Sequence, residues 1–242
     1  MSLPPPFRIV YARLQASVPW MQSAPQIERA LAHWTRGRCM GVFMGLFGLN
    51  NHELLVLLSV HDAKADGLAA ELRACLPTEV EIIELLPLRA TVRPATDEPF
   101  TRAGVHVFRF FTLPFSRMDE AVALSGAGWE TFERDDDPNA SDGYRTEPLG
   151  LFAQDGPGWP LSIAPPGPAP GVGSPGVGSP GVGSPGKALP GEGKLLLVTW
   201  YDSMTSWERS RTPNPQATIN FRQRAALTSS IVAYATRLAN TA

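Results

Sequence analysis

Several stretches of this chain occur twice, in the same order. MGLFGLNN (residues 44–51) resembles LGLFAQDG (149–156), and LLVLLSVHDA (54–63) resembles LLLVTWYDS (195–203), matching Asp62 to Asp202. Upstream, VYAR (10–13) matches HVFR (106–109), which aligns Arg13 with Arg109, and AHW (32–34) falls near AGW (127–129), which aligns Trp34 with Trp129. A repeated unit constrains a fold more than composition does, because each copy must bury the same apolar face.

Read for elements, the first copy runs from the strand FRIVYARLQ to a helix through IERALAHW. Strands CMGVFMGLFG and ELLVLLSVHD, the helix ADGLAAELRACL and the strand EVEIIELLPLRATV follow. Ser23-Ala24-Pro25-Gln26 looks like the first helix's capping start. The second copy repeats the order with GVHVFRFFTL, the helix SRMDEAVALSGAGWETF, EPLGLFAQ, KLLLVTWYD, the helix NPQATINFRQRAAL and SSIVAYATRL. Asp202 and Ser203 read as the cap of a helix starting near Met204.

The order is βαββαβ twice, the ferredoxin-like unit. Each unit has one sheet face under its helices and one bare face, and packing the bare faces together buries both. The expected fold is α+β: two tandem ferredoxin-like units, residues 1–98 and 99–242, forming a single-chain pseudo-dimeric α+β barrel. Alternation along the fifth strand is expected to turn His106, Phe108 and Phe110 to the helices. Val107, Arg109 and Phe111 then face the barrel cleft.

GVGSPGVGSPGVGSPG (171–186) contains G-x-G-x-x-G in overlapping register, the pattern of a dinucleotide-binding turn. Its flanks, APPGPAP and KALPGEG, supply neither the incoming strand nor the outgoing helix that such a turn needs. Pro and Gly at this density cannot bury enough apolar surface to offset the cost of ordering. The tract reads as a low-complexity, disordered spacer over 156–192, inserted at a hairpin tip that copy one closes tightly through Leu49-Asn50-Asn51-His52.

Composition bounds the partners. Net charge is −2, which gives no electrostatic case for nucleic acid or an anionic membrane surface. No apolar run approaches the roughly 20 residues of a bilayer span, and MSLPPPFRIVYARLQ lacks the basic and apolar regions of a secretory signal. Cys39 and Cys75 have no metal spacing and read as reduced thiols, so a cytoplasmic location is expected. Asp135–Asp137 reads as a solvated loop. No G-x-S-x-G, H-E-x-x-H or paired-Cys pattern occurs, so no metal or cofactor is expected and no catalytic residue is assigned.

HVFRFFTLPFSRMDEAVALSGAGWETFE and LLLVTWYDSMTSWERSR resemble NIPSNAP domains, in the strand-borne arginine, the helix-end Trp-Glu-x-Phe and the aromatic pair before Asp-Ser. The resemblance covers roughly 104–155 and 193–240, and more weakly 6–94. It implies the dimeric α+β barrel fold and leaves the biochemical activity undefined. The Gly-Val-Gly-Ser-Pro insert departs from the family pattern.

The candidate ligand-binding residues are Arg109, Arg13, Phe111, Trp129, Trp200 and Tyr201. A mid-strand guanidinium either grips a carboxylate, enolate or phosphate in the cleft or closes an internal ion pair, with Glu130 as a partner for Arg109. The aromatic residues either wall a pocket or pack as core. His106 is in principle an axial haem ligand, against the ordinary reading of a satisfied histidine. The functions in view are binding of a small hydrophobic, enol or carboxylate molecule, a non-catalytic scaffold, and cofactor-free oxygenation or isomerisation. A homo-oligomer is compatible with each.

Overall fold

Strands β1 (Arg8–Ala16), β2 (Cys39–Phe47), β3 (Glu53–Val60) and β4 (Val80–Ala90) make the first half of the sheet. Strands β5 (Val105–Pro114), β6 (Thr146–Gln154), β7 (Glu192–Tyr201) and β8 (Ser230–Leu238) make the second. Helices α1 (Trp20–Leu31) and α2 (Leu68–Cys75) belong to the first half. Helices α3 (Met118–Asp135), α4 (Met204–Arg209) and α5 (Pro215–Ala226) belong to the second. The structure, a computed structural model, describes residues 7–61, 67–135, 145–154, 191–210 and 215–241. Asp62, the Asp136–Asp137 end of the acidic run and the Gly-Val-Gly-Ser-Pro tract lie outside them.

The strands close into one ring in the order β1-β3-β2-β8-β5-β7-β6-β4. Every neighbouring pair is antiparallel. Each half therefore contributes the order 4-1-3-2 of a ferredoxin-like sheet. Two seams join the halves, β2 with β8 (Phe43 opposite Leu238) and β4 with β6 (Ala90 opposite Phe152). Closure removes the free edges that an open sheet would expose. Strands β6 and β7 pair directly, with Leu151 opposite Leu197, so the low-complexity tract runs between neighbouring strands of one sheet.

Both halves fill the barrel interior. Ile9, Tyr11, Leu55, Leu57, Leu86 and Leu88 meet Phe108, Phe110, Phe152, Leu196, Val198 and Tyr234 in one cluster. Tyr11 and Phe110 pack edge to face with centroids 4.9 Å apart. Outside the ring, α1 and α2 cover Val10, Ala12, Leu14, Val56 and Leu58, while α3 and α5 cover Phe111, Leu113, Leu151, Leu195 and Leu197.

This corrects the expected facing of β5. Phe108 and Phe110 point into the barrel with His106, and Val107, Arg109 and Phe111 point out to the helix layer. The reason is that β5 is buried on both faces. Its apolar run shows that two faces exist without saying which is inner. The first helix also differs, starting at Trp20 after Pro19, with Ser23 buried inside it and Pro25 within its span. Pro25 removes one backbone bond near the N-terminus, which burial of Ala24, Ile27 and Leu31 outweighs.

The cap of α4 forms as the residues suggest: Ser203 Oγ accepts from the Ser206 backbone N–H at 3.1 Å. Ser203→Ala is expected to cost about 1 kcal/mol, read as a lower urea midpoint; an unchanged midpoint would show that the helix does not need its cap.

Candidate functional site

Arg13 and Arg109, paired above by the likeness of VYAR to HVFR, stand on opposite faces of the sheet. Arg13 points into the barrel, where its Nη2 lies 2.7 Å from Glu53 Oε2 with both side chains 8% exposed. Its Nη1 donates to Tyr234 OH at 3.3 Å. Glu84 stands opposite Arg13 across the β1–β4 pair, and burial pushes its carboxyl up, tempered by Arg13 and Lys194. Lys194 Nζ donates to Thr112 Oγ1 at 3.0 Å, completing a charged end to the interior. Of the two readings for Arg13, the structure forms the internal ion pair.

Arg109 lies instead in the layer between the second half of the sheet and its helices. Its Nη2 donates to Tyr201 OH at 3.1 Å and its Nη1 to Thr199 Oγ1 at 3.4 Å. Glu130 is exposed and is not its partner. A pocket of about 260 Å³ opens here, lined by Arg109, Trp129, Thr146, Pro148, Leu197, Thr199, Tyr201, Ser210, Phe221 and Arg224. Of the six residues singled out in the sequence, Arg109, Trp129 and Tyr201 meet in this pocket. Phe111 lies under Arg224, whose guanidinium carbon is 4.5 Å from the ring centre. Trp200 stands apart, its indole N–H donating to Ala103 O at 2.9 Å and its face under Arg102.

Arg224 is the residue that sequence reading missed. It is 8% exposed, its Nη1 donates to Ser125 Oγ at 3.1 Å, and its guanidinium carbon lies over the rings of both Phe111 and Phe221, the latter at 5.1 Å. Burial first, and the Arg109 charge second, pull it down to about 10. Neither Arg109 nor Arg224 has a carboxylate partner among the described residues. The signal was present in α5, since buried Ala217, half-buried Phe221 and buried Arg224 recur at the spacing of one helix face. An arginine on a core-facing stripe is a stronger mark than one on a strand.

The described residues of the first half pack differently. There Ile27, Leu31, Trp34, Leu68 and Leu72 fill the space over the sheet with apolar side chains.

His106 is fully buried in the barrel against Phe43, ring centres 5.3 Å apart, and burial pulls it down to about 4. It is across the sheet from the pocket, whose lining holds no His, Cys or Met, and Tyr201 is engaged by Arg109. These residues do not suit a haem iron, which takes its axial ligand from such side chains. Among the described residues no three His, Cys, Asp or Glu gather as a metal site. Both cysteines are free, and burial pushes Cys39 up to about 12, an unreactive thiol. No described helix is long and apolar enough to cross a membrane.

With this geometry in place, solved structures can be set beside it. An anthrone oxidase-like protein is similar at a TM-score of 0.54 and 12% identity, over 96% of this chain and 91% of that one. A chlorite dismutase from Candidatus Nitrospira defluvii is similar at 0.51 and 8%, over 97% and 91%. The fold is that of the dimeric α+β barrel proteins. At these identities the α+β barrel is shared and nothing more is implied. No protein-family model matches the chain, and no curated protein matches it in sequence.

Proposed function

We infer that this chain binds a small organic anion, a carboxylate or enolate on an apolar body, in the helix–sheet pocket of its second half. One observation carries the reading: two guanidiniums line one aromatic pocket, and no carboxylate among the described residues answers either. Burying a charge without a partner costs several kcal/mol, which a bound anion would offset. At about 260 Å³ the pocket lies just under the ~300–1,000 Å³ range of drug-sized sites, which suits a compact ligand.

The ligand site thus moves from the barrel cleft to the outer face of the same sheet. The NIPSNAP-like motifs supply Arg109, Trp129 and Tyr201 to it, which supports small-molecule binding over a scaffold role. On this reading residues 1–98 and 99–242 are copies of one unit, the first with its helix layer filled and the second with it open. Two free thiols fit a reducing, cytoplasmic setting.

The test is thermal melting of the full chain with millimolar carboxylates and inorganic phosphate. A saturating ligand at about 100 times its Kd adds ~2.7 kcal/mol, a rise of roughly 5–10 °C for a chain of this size. Arg109→Met should lower the affinity about ten-fold or more while leaving the unliganded melting temperature within a few degrees. A wild-type protein that responds to no anion overturns the reading.

A further inference from the structure

Resting on that reading, we propose that the ligand is a planar aromatic carboxylate, held edge-on by the Nε and Nη2 side of Arg224. The guanidinium carbon lies over the rings of Phe111 and Phe221, at 4.5 and 5.1 Å from their centres. Ser125 anchors Nη1, and its own hydroxyl proton goes to Ala121 O at 2.7 Å, which fixes that oxygen as an acceptor. The opposite edge is unanswered within the protein: Nε is buried without a hydrogen-bond partner, and no bond to Nη2 forms among the described residues. Two parallel N–H donors on one edge match the two oxygens of a carboxylate.

The remaining donors limit what else the pocket can satisfy. Thr146 Oγ1 donates to Trp200 O at 3.1 Å and Ser210 Oγ to Trp207 O at 2.7 Å, so both hydroxyls are engaged. Arg109 directs both Nη groups at hydroxyl oxygens and contributes charge more than contacts. Tyr201 and Thr199 each accept from Arg109 and keep their own protons, which are available to ligand oxygens. A phosphate has no apolar body to set against the rest of the lining. Trp129, Phe221 and Leu197 instead offer apolar and aromatic walls to a ring.

Titration calorimetry of the full chain with benzoate, cyclohexanecarboxylate and inorganic phosphate tests this. Benzoate is expected to bind roughly ten-fold tighter than either of the others. Arg224→Lys, which keeps the charge and loses the fork, should weaken benzoate by a similar factor. If cyclohexanecarboxylate or phosphate binds as well as benzoate, the planar-carboxylate assignment is overturned while the anion-binding function stands. If Arg224→Lys keeps full benzoate affinity, the edge-on fork is overturned. If no probe binds, both fall. The wild-type selectivity series holds even if the variant fails to fold.

Discussion

Arg13→Met is expected to destabilise the chain by about 3–5 kcal/mol, lowering the melting temperature by roughly 10 °C or more. The change strands the Glu53 carboxylate, 8% exposed, in the barrel interior and removes a cation that tempers Glu84. Little water reaches the pair to replace the lost partner, which separates it from an exposed pair such as Arg89–Asp119 at 2.8 Å, worth ~1 kcal/mol or less. The double variant Arg13→Met with Glu53→Met removes both desolvation costs at once and should recover most of the loss. Urea unfolding of the two variants decides the matter. Equal losses would mean that shape, and not charge, is what Arg13 contributes.

His106 is expected to make the fold acid-sensitive. Burial holds its pKa at about 4, below the ordinary value near 6.5. Between those values the unfolded chain binds a proton that the folded chain refuses, so stability rises with pH across the window and falls as pH drops through it. The loss attributable to this side chain between pH 7.5 and 4.5 is about 2.5 kcal/mol. Other carboxylates titrate in the same range, so the comparison is with His106→Leu, which fills the same apolar site without a titrating group. The variant should lose about 2.5 kcal/mol less than the wild type on acidification. If the two curves run parallel, His106 is already charged or solvated in the folded chain.

Much of the fold could be read from residues alone. The repeat and the alternation of strand and helix signals led to the right element order. The bare faces of two such sheets led to the barrel, because packing them together buries both within one chain. The candidate site was legible in part. Arg109, Trp129 and Tyr201 were marked as residue types that recognise ligands, and they do line one pocket. Their setting was not legible, because β5 is apolar on both faces and a shift of one residue exchanges inside for outside. The same slip paired Arg13 with Arg109, though one closes an ion pair in the barrel and the other lines the helix layer. Arg224 went unseen because an arginine in a helix normally snorkels to solvent.

Local signals along the chain settled which elements form and in what order, since periodicity and turn chemistry act between near neighbours. Only the tertiary structure decided which face of β5 is inner and which arginine meets a carboxylate. It alone decided that Arg109 and Arg224, distant in sequence, share one pocket. Those outcomes depend on long-range packing between a strand and a helix, a relation that neither segment encodes alone.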